Sequence, residues 1–203
     1  MSDKRHALFT IGHTNYSLDA FVALLKQHSI AAVVDVRSQP YSRRLDHFNR
    51  ESLAAELDSA GIKYVFLGQE LGARRDEAEC YMDGHAAYQR IANLPKFQEG
   101  LARVRRLAAR CRIALMCAEK DPLDCHRTIL ICRQLRDEFQ IKHILADGSL
   151  EDHAESERRL VRQMGVSRTL FEPNLSAEDL IQQAYDKRAE QIAYRANEEE
   201  VPQ

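Results

Sequence analysis

The chain has 203 residues, of which 44% are hydrophobic and 30% are charged, a composition typical of a globular protein with one sizeable core. Its formal net charge of −2 argues against a broad nucleic-acid or membrane surface, although a local basic patch is compatible with it. The apolar runs are too short to span a bilayer, and the polar start, Met1–His6, lacks the apolar core of a signal peptide. Because the five cysteines are odd in number and have no repeated short spacing, we expect no disulfide framework and a cytoplasmic location.

Strand-like and helical patterns alternate along the first 149 residues. Short apolar or β-branched segments predict strands at 7–11, 31–36, 63–67, 112–117 and 142–146. Helical periodicity or helix start and stop signals predict helices at 18–25, about 50–60, 86–93, 96–110 and 128–139. This alternation predicts a three-layer Rossmann-like α/β domain over residues 1–149, with a mostly parallel five-stranded sheet. Residues 68–84 show no periodicity, and a loop of that length is more often functional than idle.

Residues 150–203 predict a helical C-terminal extension. A polar helix is expected over 150–165, and the segment 171–174 interrupts it. A second helix begins with a capping box at Ser176, in which Asp179 replaces the usual glutamate. One stripe along its surface consists of Ile181, Tyr185, Arg188 and Ile192, with Ala184 and Ala193 beside them. Such a stripe packs either on its own chain or in a homodimer, and the pattern alone does not separate the two.

Polar side chains and glycines lie at or just beyond the ends of four of the predicted strands. In chain order they are Gly12 and His13, then Asp35, Arg37 and Arg43, then Gly72, then Cys117 and Glu119. Ligands of open α/β sheets bind beyond the carboxyl ends of the strands, so these residues predict one site at that edge. For several of these residues, a purely structural role is the alternative to a role in the site. Asp35 would then orient a loop, Arg37 would pair with a carboxylate, and Cys117 would be a small core residue.

The triplet Cys125-His126-Arg127 is predicted to open the helix after the fourth strand. The start of a helix stabilises a thiolate or a bound anion, because unpaired backbone N–H groups and the positive end of the helix dipole lie there. With Arg37 and Arg43 nearby, we expect an electropositive crevice for a phosphate-bearing ligand, unless these arginines form a solvated rim. A carboxylate at the end of a buried strand needs positive partners, so we expect Glu119 to pair with Arg37 or Arg127.

We predict neither a metal nor a cofactor. Soft ligand atoms are offered by Cys117, Cys125, His126 and His13, but their spacing matches no closed zinc pattern and contains no CxxC pair. The glycine-rich dinucleotide loop, the Walker loop and the GxSxG elbow are absent from the sequence. Val33–Arg37 is similar to an early strand of sulfurtransferases, but Cys117 is not followed by that family's short anion-binding loop.

The motifs, taken together and in order, resemble the bacterial family catalogued as domain of unknown function 488. The likeness covers about residues 7–149 and rests on Thr10–Thr14, Asp35–Arg37 with Pro40–Arg43, Leu67–Gly68 with Leu71–Gly72, Asp83–Tyr88, and Leu115–Glu119 with Cys125–Arg127. Thr14 stands where the family usually has serine, and Ala73 stands where a second glycine often follows. The resemblance implies the fold and the location of the site, but it implies no reaction.

Two functions of different classes remain open. The first is an enzyme, a hydrolase or transferase, acting on a nucleotide, a nucleoside or a nucleic-acid end. Glu119 would be its general base or nucleophile, and His13 or His126 would transfer a proton. In a mechanistic variant the nucleophile is Cys117 or Cys125. The second function is a non-catalytic nucleotide- or DNA-binding sensor domain, with arginines of the predicted helix 96–110 touching phosphates. Neither function involves a membrane.

Overall fold

A six-stranded sheet forms the centre of the protein in the computed structural model, which describes residues 6–168 and 174–195. Its strands are β1 (Ala7–Gly12), β2 (Ala32–Asp35), β3 (Lys63–Phe66), β6 (Ile113–Cys117), β7 (Gln140–Ile144) and β8 (Leu150–Asp152). A separate hairpin is formed by β4 (Tyr81–Met82) and β5 (His85–Ala86). The sheet order is β3-β2-β6-β1-β7-β8, and every neighbouring pair is parallel except β7 with β8. The predicted mostly parallel sheet is confirmed, with six strands instead of five.

Helices connect the strands. They are α1 (Leu18–Gln27), α2 (Arg50–Ser59), α3 (Gly68–Leu71), α4 (Tyr88–Ala92), α5 (Pro95–Ala108), a π-helix (Arg127–Cys132) continuing as α6 (Arg133–Leu135), α7 (His153–Gln163) and α8 (Ala177–Ile192). Ser17 caps α1 by accepting a hydrogen bond from the backbone of Ala20, and Pro95 occupies the first turn of α5. Within the described residues, no helix has the length and apolar character needed to cross a membrane.

Helices cover both faces of the sheet. Side chains of α1 and α2 pack with one set of sheet residues, whereas α5, the π-helix, α7 and α8 pack with the other set. All residues of β2 and β6 are buried, as expected for parallel strands covered on both sides. The three-layer α/β architecture is therefore confirmed.

Several boundaries differ from the sequence prediction. The strand predicted over 142–146 is β7, over Gln140–Ile144, and the helix predicted over 128–139 ends at Leu135. Residues 150–152 form β8, so the helix predicted over 150–165 begins only at His153. This strand is polar, and its pairing with β7 follows a turn in which Gly148 has a positive φ of 81°. The segment 68–84, expected to be irregular, contains α3 and the start of the β4–β5 hairpin. Because this hairpin includes Ala86, the helix predicted over 86–93 begins at Tyr88.

The C-terminal helices pack on the same core as the sheet. Both hydrogen bonds of the predicted capping box at Ser176 are present, which confirms it, whereas the predicted interruption at 171–174 lies almost entirely outside the described residues. Tyr185 of the α8 stripe is fully buried against the chain's own core. The homodimer stays a prediction.

A buried polar chain links α8 to the sheet. The hydroxyl of Tyr185 donates to Glu157 at 2.9 Å and lies 2.9 Å from His153. His153 in turn lies 3.0 Å from His143, which lies 2.8 Å from the hydroxyl of Thr10 in β1. These polar atoms are thus satisfied inside the protein, as burial requires.

Candidate functional site

The carboxyl ends of three adjacent strands, β2, β6 and β1, form the centre of the candidate site. Backbone hydrogen bonds continue past the strand ends and hold the following loops together. The N–H of His13 donates to the carbonyl of Cys117 at 2.9 Å, and the N–H of Val36 donates to the carbonyl of Met116 at 3.0 Å. The polar residues after these strands therefore lie side by side, although they are far apart in the sequence.

A cavity of about 340 Å³ opens at this edge, a volume within the range of small-molecule sites. Its lining comes from the ends of β2 and β6, the start of the π-helix, α4 and the end of α8: Arg37, Ser38, Gln39, Tyr41, Ala73, Arg74, Tyr88, Cys117, Ala118, Glu119, Asp124, Cys125, His126, Ile192 and Tyr194. A larger cavity of about 550 Å³ lies between the β4–β5 hairpin and α8, but it contains none of the predicted site residues. The chemistry is therefore to be sought in the smaller cavity.

Two cysteines and a histidine meet on one wall of this cavity. We call Cys117, Cys125 and His126 the thiol–imidazole cluster. Nδ1 of His126 lies 3.6 Å from Sγ of Cys117 and 3.9 Å from Sγ of Cys125. Both cysteines are buried, and the structure contains them as free thiols. The end of β6 supplies one sulfur, and the turn into the π-helix supplies the other sulfur and the imidazole.

The two thiols of the cluster have pKa values that move in opposite directions. Burial opposes ionisation of Cys125, but hydrogen bonding with Cys117 and the charge of Arg127 outweigh it and hold the pKa of Cys125 well below its ordinary value. The backbone N–H of Arg127 also donates to Sγ of Cys125 at 3.4 Å. The same hydrogen bond between the thiols, followed by burial, raises the pKa of Cys117. Cys125 is therefore the thiol of the pair that ionises more readily.

Glu119 lines the cavity and is exposed there. The expected ion pair is wrong: within residues 6–168 and 174–195 its carboxylate pairs with neither Arg37 nor Arg127. Partial burial, followed by the nearby Cys125, raises the pKa of Glu119. The carboxyl group is thus an unengaged proton acceptor beside the thiol–imidazole cluster.

Arg127 binds the backbone of Glu119 instead of its carboxylate. Its guanidinium, only 1% exposed, donates to the carbonyl of Glu119 at 2.6 Å and to the carbonyl of Lys120 at 3.3 Å. Gly12 permits this arrangement, because a Cβ there would lie 2.8 Å from the carbonyl carbon of Glu119 and closer still to its oxygen. Both residues therefore shape the loop that carries Glu119, and neither lines the cavity.

Asp35, Arg37 and His13 form a second buried cluster behind the cavity wall. Nε of Arg37 donates to Asp35 at 2.9 Å and its terminal nitrogen at 2.6 Å, and the hydroxyl of Tyr64 donates to the same carboxylate at 2.7 Å. Although burial opposes the charge, the Asp35 carboxylate raises the pKa of Arg37. Burial and then Arg37 lower the pKa of His13 to about 4. Of the three residues, only Arg37 lines the cavity.

The remaining predicted residues are not in the cavity wall. Arg43 is exposed outside it, and Gly72 is buried, where a Cβ would lie 2.9 Å from Cα of Ser38. Arg74 lines the cavity instead, with its guanidinium 4.4 Å from the ring centroid of Tyr194. Tyr194 is not predicted from the sequence. It follows the end of α8, and its distance of two residues from Ile192 gives no helical spacing that would have identified it.

The fold and the position of this cavity define a three-layer α/β protein with its candidate site at the carboxyl edge of a parallel sheet. A family model described as "Domain of unknown function DUF488" matches residues 17–133, more than half of the chain. The chain belongs to this family, so the resemblance seen in the sequence is confirmed. Neither a curated protein nor a solved structure matches the chain.

Proposed function

We propose that this protein is an enzyme that acts on a small phosphate-bearing substrate, such as a nucleotide, a nucleoside phosphate or a nucleic-acid end. The observation that carries the proposal is the carboxylate of Glu119, which has no ion-pair partner among the residues that the structure describes and shares a cavity with the thiol–imidazole cluster. A general base must be free to reach its substrate, and a carboxylate exposed to this cavity meets that condition.

One arginine of the cavity supports a phosphate-bearing substrate. Arg74 is exposed at the wall, where it brings a permanent positive charge, whereas the charge of Arg37 is paired with Asp35. Guanidinium groups match phosphate geometry and stay charged at every working pH. The arginines of α5 give less support to the alternative of a DNA-binding sensor domain, because Arg103 pairs with Glu70 and Arg105 pairs with Glu138 at 2.7 Å.

In the proposed reaction the carboxylate of Glu119 takes a proton from a water molecule or a substrate hydroxyl. The oxygen freed of that proton forms a bond to the electrophilic carbon or phosphorus, and the bond to the leaving group breaks. Glu119 then returns the proton to the leaving group. In the alternative mechanism, the Cys125 thiolate attacks the same centre and displaces the leaving group, which takes a proton from water. A second water then hydrolyses the covalent intermediate and restores the thiol.

The test compares the wild-type protein with Glu119→Gln on a panel of nucleotides, sugar phosphates and 5′-phosphorylated DNA. We expect wild-type turnover of at least one panel member, and a loss of about 100-fold or more in the variant. Because Glu119 is exposed and has no ion-pair partner within residues 6–168 and 174–195, its replacement should change the free energy of unfolding by less than about 0.5 kcal/mol. Glu99→Gln, at an exposed position on α5, is the matched control and should keep full activity.

Three other outcomes of this test would each lead to a different conclusion. If phosphate compounds raise the melting temperature but none is turned over, the protein is a binding domain. If Glu119→Gln keeps full activity while Cys125→Ser loses it, the thiolate mechanism replaces the proposed one. If no panel member binds or reacts, the proposal of a phosphate-bearing substrate is wrong.

A further inference from the structure

We propose that Cys117, Cys125 and His126 bind a zinc ion and leave one coordination position open to the cavity. Their ligand atoms, two Sγ and one Nδ1, all lie within 4.8 Å of one another. Two thiolates and one imidazole are a donor set that zinc accepts in catalytic sites, where a water or substrate takes the fourth position. This inference concerns only these three side chains, so it stands independently of the proposed substrate.

The distances fit a tetrahedral site. With Zn–S near 2.3 Å and Zn–N near 2.1 Å, a sulfur and a nitrogen ligand lie about 3.6 Å apart. In the protein the two corresponding distances, from His126 Nδ1 to the sulfurs of Cys117 and Cys125, are 3.6 Å and 3.9 Å. Both sulfur-to-nitrogen distances therefore lie within a few tenths of an ångström of the tetrahedral value, and the two sulfurs lie no more than 4.8 Å apart.

The imidazole of His126 is oriented as a ligand. Its Nε2 lies 2.9 Å from the carbonyl of Val36, and a carbonyl only accepts, so Nε2 carries the proton. Nδ1 of the neutral ring then has its lone pair directed at the two sulfurs. A hydrogen bond of this kind, from the other ring nitrogen to a carbonyl, is the usual way in which proteins fix a metal-binding histidine.

The surroundings suit two thiolates around a dication. Zinc replaces the two thiol protons, so the cluster with its ion carries no net charge and can remain buried. Arg127 donates its backbone N–H to Sγ of Cys125 at 3.4 Å, a contact that stabilises a thiolate ligand. No carboxylate is among the three ligands, which favours zinc over magnesium or calcium.

The open position connects the site with Glu119, and this step alone rests on the proposed function. All three ligands and Glu119 line the same cavity, so a water on the fourth position would share that cavity with the carboxylate. A zinc ion held there would lower the pKa of the water, and Glu119 would accept the released proton and leave hydroxide as the nucleophile. Because ligation to zinc ties up the thiolate of Cys125, zinc binding selects the Glu119 mechanism over the thiolate mechanism.

The experiment measures metal binding without any substrate. Reduced wild-type protein is stripped with a chelator, and zinc content is then measured after titration with Zn²⁺ and removal of excess metal. Co²⁺ replaces zinc in a parallel sample, because thiolate-to-cobalt charge transfer and intense visible bands report tetrahedral sulfur ligation. Cys117→Ser and Cys125→Ser test the ligands, and Cys111→Ser, at a thiol outside the cluster, is the matched control.

We expect one zinc per chain and the thiolate–cobalt spectrum in the wild type and in Cys111→Ser. Each cluster variant should lose the spectrum and weaken zinc binding by at least about 100-fold. If a variant does not fold, alkylation of the wild-type protein still tests the site. Zinc should slow the alkylation of Cys117 and Cys125 and leave that of Cys111 unaffected.

Three results would overturn the zinc site. They are reduced wild-type protein that retains no zinc, cluster variants that bind zinc as tightly as the control, and a Cys117–Cys125 disulfide that persists under reductant.

Other results would contradict the proposed function and leave the zinc site standing. A protein that binds zinc through the cluster but turns over no phosphate compound supports the metal site and contradicts the proposed substrate. A turnover that survives complete metal removal contradicts the hydroxide step alone.

Discussion

Replacing Gly12 with alanine should destabilise the fold mainly by displacing the carbonyl of Glu119. The added Cβ would lie 2.8 Å from the carbonyl carbon of Glu119 and closer to its oxygen, so the loop after β6 must move. That oxygen accepts the 2.6 Å hydrogen bond of Arg127, a guanidinium that is 1% exposed. In the described part of the chain, Nε of Arg127 already has no hydrogen-bond partner. A buried cation would therefore lose one of its few acceptors.

The expected magnitude has two parts. Overpacking a well-packed site costs about 1–3 kcal/mol. Weakening a hydrogen bond to a charged group costs about 1.5–3 kcal/mol. Because one displacement produces both effects, we expect Gly12→Ala to lower the free energy of unfolding by about 3–5 kcal/mol. At about 2–4 °C per kcal/mol for a chain of this size, the melting temperature should fall by roughly 6–20 °C.

Urea unfolding followed by circular dichroism measures this loss, and two further variants test its cause. Gly61 has a positive φ of 76°, and a Cβ added there would meet no atom within 4 Å, so Gly61→Ala should cost only about 1 kcal/mol of backbone strain. In an Arg127→Met background the guanidinium is gone, so Gly12→Ala should cost only the overpacking part. The reasoning is refuted if Gly12→Ala costs no more than Gly61→Ala, or if its effect is the same in both backgrounds.

Three further predictions follow from the buried polar groups. In metal-free, reduced protein, iodoacetamide should label Cys125 faster than Cys111 at neutral pH, because the pKa of Cys125 lies well below its ordinary value; equal rates by mass mapping would contradict this. Asp35→Asn leaves the buried Arg37 without its carboxylate, so chemical denaturation should show a loss of about 3–5 kcal/mol, and a near-neutral effect would contradict the ion pair. As the pH is lowered from 6.5, His13 becomes protonated in the unfolded chain, but in the folded chain it stays neutral until about pH 4. The free energy of unfolding should therefore decrease as the pH is lowered through that range. In His13→Gln this slope should be shallower, and an unchanged slope would show that other groups produce it.

The sequence predicts the parallel part of the sheet well, because the strands that form it are short apolar runs with clear stop signals. It does not predict β8, whose three residues Leu-Glu-Asp carry no strand pattern and pair with β7 only in the folded chain. The hairpin that begins inside the segment 68–84 is missed for a similar reason, since its strands have two residues each. Elements that owe their existence to tertiary pairing leave little local signal.

The sequence also predicts the candidate site only in part. Sequence motifs identify each member of the thiol–imidazole cluster, but linear spacing argues against a metal because Cys117 and Cys125 are far apart for a zinc knuckle. The fold closes that gap by setting a strand end against a helix start. Likewise, the sequence cannot show that Arg127 binds the backbone of Glu119 instead of its carboxylate, since that choice depends on the close approach permitted by Gly12.

The strand order has a consequence for how the family's boundaries are drawn. The matched segment, residues 17–133, begins after β1, yet β1 lies in the interior of the sheet between β6 and β7. A fragment cut to the matched segment would expose the hydrogen-bonding edge of a fully buried strand, and such an edge is a template for aggregation. It would also lose β7 and the helices α7 and α8, which pack on one face of the core. Sequence similarity therefore marks only part of the folding unit, and the smallest autonomous protein must run from β1 at least through β7 and its covering helices.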